Sequence, residues 1–177
     1  HDDVFNAFAT LGGNVLFYRG LLDQMPHENA LAMVVAHEIS HVLHRDPISG
    51  LGGGMASSLA LSVVLGNTGA AGDMLQTTGV LTGIQFTRKM ETAADTRAVA
   101  AVNALYGHVN GADELFRAIS VMRGGSDSSS EWLERFTSTH PLDEDRIRAV
   151  LELAERQGWD VEGELTPLPT DYETWLQ

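Results

Sequence analysis

The 177 residues contain no cysteine, which excludes disulfides and cysteine-ligated zinc and leaves any redox compartment open. Basic residues are scarce: 11 Lys and Arg stand against 24 Asp and Glu, a formal charge of −13. Binding to nucleic acid or to an anionic membrane through charge needs basic patches, so no nucleic-acid partner is expected and any membrane contact must be apolar. Glutamate is missing between Glu38 and Glu91, and Asp73 is the one charged residue between Pro47 and Arg88. The uncharged run 48–66 holds Leu51, Met55, Leu59, Leu61, Val63, Val64 and Leu65 and approaches the roughly 20 residues that span a bilayer. Its early glycines, its serines and the lack of basic flanks at both ends argue against a transmembrane helix. The region 48–86 reads instead as an apolar helical hairpin beside the active site, a gate or membrane-contacting lid, in preference to a plain buried helix.

What the chain does have is His37-Glu38-Ile39-Ser40-His41. Residues four apart on a helix share a face one turn apart, so both imidazoles can address one metal ion. Glu38 stands beside that ion, where a carboxylate can take a proton from water that zinc acidifies to a pKa of about 7 and return it to a leaving amine. The run Glu28–Ala36 supplies good helix formers, Pro26 lies near the expected start, and Pro47 is expected to end the helix.

A third ligand is needed. A metzincin has Gly and His three and six residues after the second histidine, where this chain has His44 and Pro47. A glutamate some twenty residues downstream, as in thermolysin-like enzymes, would fall near Ala60 and Leu61. The first glutamate after the motif is Glu91, in a strongly helical stretch where Glu91 and Asp95 share a face at i, i+4. Catalytic zinc commonly takes two histidines and a glutamate, and its histidines pass their other ring N–H to an outer carboxylate. Glu91 suits the ligand and Asp95 the outer carboxylate, with Ala94 and Ala98 letting two helices approach closely; a solvated charged face with Arg88 and Lys89 is the plainer reading.

Four blocks in order resemble the HtpX and CAAX-prenyl-protease group of zinc metallopeptidases, gluzincins, and within it a soluble periplasmic, BepA-like branch. They are Asn6-Ala7-Phe8-Ala9 with Gly12-Gly13 and Gly20-Leu21-Leu22; the HEISH motif; Glu91-Thr92-Ala93-Ala94-Asp95; and Ser138-Thr139-His140-Pro141 with Arg146. The resemblance implies one zinc per chain with Glu91 as third protein ligand, and brings His140 and Arg146 toward the cleft. His140 could donate to the oxyanion of the tetrahedral intermediate, occupy the open position of zinc, or merely cap a surface helix. Arg146 could bind substrate or pair with Asp143 or Glu144. His44 is placed near a helix C-terminus, and His1, His27 and His108 carry no partner pattern.

Asn14-Val15-Leu16-Phe17-Tyr18-Arg19 is the best strand candidate. In the resembling family such a strand lines the cleft, where Asn14, Val15, Leu16 and Phe17 would bind an extended substrate as an added strand. Further helices are expected at 98–105, 112–122, 130–136 and 143–157, a flexible loop at 124–130, and an extended tail at 165–170.

The expectation is therefore one α+β, mainly α, zincin-like domain over 1–177 with a small β-sheet beside the HExxH helix. No signal-peptide pattern opens the chain, which reads as a mature form or as an excised domain without an initial strand. By resemblance it is an endopeptidase for unfolded or misassembled proteins in quality control at a bacterial cell envelope, on the periplasmic side. A narrow-specificity peptidase is the nearest rival. A chaperone or assembly factor that holds proteins in the groove and cleaves rarely comes from another class, and it should survive Glu38→Gln.

Overall fold

Ala7–Ala9 (β1) and Val15–Phe17 (β2) pair antiparallel in the computed structural model, which describes residues 6–10, 13–50, 86–117, 119, 140 and 144–169. The register sets Ala7 against Phe17, Phe8 against Leu16 and Ala9 against Val15. Gly13 enables the connection by taking a φ of 78°, a left-handed value that costs glycine little, and its N–H donates to the Thr10 carbonyl at 3.0 Å. β1 is wholly buried, while β2 turns Leu16 outward. The strand is shorter than predicted. Instead of running to Arg19, the chain turns at Tyr18, whose carbonyl accepts from Leu21 and Leu22, into a one-turn helix α1, Arg19–Leu22, that sinks Leu21 into the core.

The motif helix α2 spans Glu28–His44. His27 caps it: Nδ1 accepts from the Ala30 N–H at 3.1 Å, and Nε2 lies 2.8 Å from a Glu114 carboxylate oxygen. That partner is 87 positions away, beyond any local pattern. Nor does Pro47 end α2. Arg45 takes a left-handed φ of 55°, and Asp46–Gly50 (α3) follows with Pro47 in its first turn, where the missing N–H of proline is tolerated.

Arg88–Tyr106 (α4) is capped by the Thr87 hydroxyl and stopped by Gly107 at φ 79°. Met33 of α2 packs with Ala98, Val99 and Val102 of α4, and Ala32 and Ala36 keep the seam narrow; fully burying each larger side chain contributes roughly 1.5–3 kcal/mol. Glu144–Gln157 (α5) adds Val150 and Ala154 to the same cluster. A second cluster, with Ala7, Leu21, Met25, Ala30 and Val34, ties the hairpin and α1 to an adjoining strip of α2. Ala112 and Asp113 form a turn, and helix begins at 114 rather than 112. The extended tail is strapped to the start of α2, where the Glu28 N–H donates to the Thr166 carbonyl at 2.8 Å and the Thr166 N–H to Asn29 at 2.9 Å.

The architecture is thus the predicted α+β, mainly α, zincin-like fold with a small sheet beside the motif helix. The hairpin expected within 48–86 (its positions 51–85), the loop at 124–130 and the helix at 130–136 lie outside the described residues. Among the described residues, no helix is long and apolar enough to cross a membrane.

Candidate active site

Helical spacing on α2 sets the Nε2 atoms of His37 and His41 3.0 Å apart, both rings buried. From α4, the fully buried Glu91 places Oε1 3.2 Å from His41 Nε2 and Oε2 3.5 Å from His37 Nε2. His140 arrives from a third direction. Its Nδ1 lies 3.4 Å from His37 Nε2 and 3.2 Å from Glu91 Oε1. Atoms about 2.0–2.1 Å from one tetrahedral centre lie about 3.3 Å from each other, so these separations fit a four-coordinate divalent ion.

The outer contacts agree with that fit. His37 Nδ1 lies 2.9 Å from Asp95 Oδ1, and His41 Nδ1 lies 2.8 Å from Asp46 Oδ2. Each carboxylate accepts the Nδ1–H, which turns both Nε2 atoms into the cluster beside Glu91, the two-histidine, one-glutamate donor set that a divalent zinc ion takes. Asp95 was expected from the sequence and Asp46 was not. In a continuous helix, a residue five further on points about 140° away from His41. The left-handed turn at Arg45 supplies the detour, and nothing in the side-chain pattern announces it.

Arg146 reaches the acids of α4. Its side chain is 4% exposed; Nη1 lies 2.7 Å from Glu91 Oε2, while Nε and Nη2 grip Asp95 at 2.7 and 2.8 Å. The guanidinium thus bridges Glu91 and Asp95. His140 is likewise no surface cap: it is 2% exposed, with Nε2 3.4 Å from Glu38 Oε1. Glu38 is itself buried, and its Oε2 has no hydrogen-bond partner among the described residues. Beside it opens a small cavity with apolar walls from Met33, Val34, Leu115 and Phe116.

The charged groups of this cluster shift one another's protonation. Burial opposes protonation of His37, but hydrogen bonds to Asp95 and Glu91 outweigh it and push the metal-free ring up to about 10. Burial would raise the Glu91 carboxyl, yet His140 first, then His37 and His41, hold it well below the usual range. Asp95 is lowered in the same way by His37 and Arg146 against its burial.

Asn14 and Leu16 are exposed, Val15 and Phe17 half-buried, and among the described residues β2 pairs only with β1. His44 donates to the Ser40 carbonyl at the end of α2, and His108 holds the tail through the Glu164 carbonyl at 3.1 Å.

The profile of Peptidase family M48 matches residues 1–154. The chain is similar to the mitochondrial metalloendopeptidase OMA1 of Schizosaccharomyces pombe, 28% identical over 98% of this chain and 50% of that protein. It is also similar to the β-barrel assembly-enhancing protease of Escherichia coli, 34% identical over 54% of this chain and 22% of that protein. A Vibrio cholerae protein given the same name provisionally is 32% identical over 82% of this chain and 32% of its own length. The chain therefore spans half or less of each of these relatives. Because the matched span takes in the histidine helix, the glutamate helix and the segment that returns Arg146 to Glu91 and Asp95, the chain belongs to peptidase family M48.

Proposed function

We propose that this chain is a zinc-dependent endopeptidase that cleaves unfolded or misassembled proteins. One observation carries the reading: three imidazole nitrogens and a carboxylate converge within 4.8 Å of one another, with Glu38 at their edge. His37, His41 and Glu91 would hold a single zinc. When bound, such an ion supplies Lewis acidity, polarising the scissile carbonyl and acidifying water. Glu38 takes the proton of the attacking water and delivers it to the leaving amine. Asp95 and Arg146 keep His37 and Glu91 oriented.

His140 points Nδ1 into the ligand cluster and Nε2 at Glu38. That placement favours a gate, in which the imidazole covers both the fourth position and the base until substrate displaces it, over a fixed oxyanion donor. The edge of β2 away from β1, unpaired among the described residues, with Asn14, Val15, Leu16 and Phe17, suits an extended substrate held through its main chain, which imposes little sequence demand. A single domain carrying the 48–86 insert, with the 124–130 loop allowing the His140 segment to move, is part of the same reading. The same reading places the chain in quality control at a bacterial cell envelope, on its periplasmic side; relatives named as β-barrel assembly-enhancing proteases support the part in protein assembly.

The test is metal analysis of the purified chain alongside cleavage of an unfolded casein substrate, for the wild type and Glu38→Gln. One zinc per chain with cleavage confined to the wild type supports the endopeptidase. Zinc without cleavage in either would favour a protein that holds its clients.

A further inference from the structure

We infer that Asp46 is a positioning residue for His41, acting through it on the zinc of the proposed site, on which this inference rests. His41 is fully buried, and two neighbours restrict its ring. Phe86 stacks on it with centroids 4.0 Å apart and planes within 8°, which sets the plane of the imidazole but leaves open the half-turn about Cβ–Cγ that exchanges Nδ1 with Cδ2. Asp46 Oδ2, 2.8 Å from Nδ1, removes that freedom and turns Nε2 toward Glu91 and His37. The carboxylate is 7% exposed, so the contact is shielded from competing water.

The backbone is arranged for this contact. Arg45 sits at φ 55°, a left-handed value unfavourable to a residue with a Cβ, and among the described residues it is the only non-glycine with positive φ. Its carbonyl accepts from Ile48 and Ser49, both at 3.1 Å, so α3 starts at once and fixes Asp46 beneath His41. Without that turn the carboxylate would follow the helix to another face. The two histidines are therefore supported differently: His37 by an acid on the partner helix, His41 by an acid from its own chain just past the helix end.

The experiment is zinc affinity, measured by competition with a chromophoric chelator, for the wild type, Asp46→Ala and Asp46→Asn, together with the visible spectrum of the cobalt(II) forms. Circular dichroism checks folding. Asp46→Ala should weaken zinc about 10–100-fold and shift the cobalt bands. Asp46→Asn, which keeps an acceptor oxygen and loses the charge, should fall between; being nearly isosteric, it decides the matter if the alanine variant fails to fold. Folded variants that bind zinc within about twofold of wild type, with unchanged cobalt bands, overturn the inference and leave the zinc reading standing. A wild-type chain that takes up no zinc overturns both.

Discussion

His140 reaches Glu38: Nε2 of the imidazole lies 3.4 Å from Oε1 of the carboxylate, although the two residues come from distant parts of the chain. The same ring presents Nδ1 to Glu91, so it touches a candidate ligand and the candidate base at once.

His140→Ala should therefore retain one zinc per chain and cleave unfolded casein faster, on the order of tenfold if the covered state is the dominant one. Initial rates and metal content measured on the same preparation check this. A fall on the order of 10²-fold would assign His140 to oxyanion stabilisation instead.

Glu38→Gln keeps the shape of the side chain and removes the base. Cleavage should drop by about 10²–10⁴-fold while zinc content stays at wild-type level. Loss of zinc along with activity would move Glu38 from base to ligand.

His37→Ala and Glu91→Ala each remove one of the atoms that converge within 4.8 Å. Both variants should emerge from chelator dialysis and zinc re-addition with less than one zinc per chain, measured by atomic emission. Full occupancy in Glu91→Ala would remove that residue from the ligand set.

Arg146→Met leaves Glu91 and Asp95 buried with their guanidinium partner gone. Removing one partner of a buried ion pair costs roughly 3–5 kcal/mol, and urea unfolding of the chelator-treated protein should show a loss of that size. Arg146→Lys should recover part of it, since a lysine returns the charge without the paired grip on Asp95.

The Asp95 carboxyl is held below its ordinary value of 3.8, its burial being outweighed by His37 and Arg146. A carboxyl lowered in the folded state adds stability that is present above the unfolded value and is lost as pH falls through the folded one. The chelator-treated wild type should thus lose stability as pH drops below 3.8, and Asp95→Asn should show a shallower acid limb. Parallel limbs in thermal melts would contradict this.

Much of the site is visible in local spacing. His37 and His41, like Glu91 and Asp95, are four apart, and helix geometry alone puts each pair on one face. The small residues Ala94 and Ala98 are buried where the helices meet, as their size suggests. Helix ends were less legible. Pro47 reads as a terminator, yet it sits in the first turn of α3, because proline is excluded from helix interiors and not from helix starts.

Read on its own, the chain declares the two helices that carry the site through periodicity and motif spacing over a few turns, and its fold class and family through the resemblance of four ordered blocks. Packing decided the rest. Arg146 chose Asp95 51 positions away, His37 meets His140 across 103 positions, and His27 found Glu114 across 87. Only burial against a shared core makes such partners neighbours, and even the nearby pair His41 and Asp46 required one left-handed residue that no periodicity encodes.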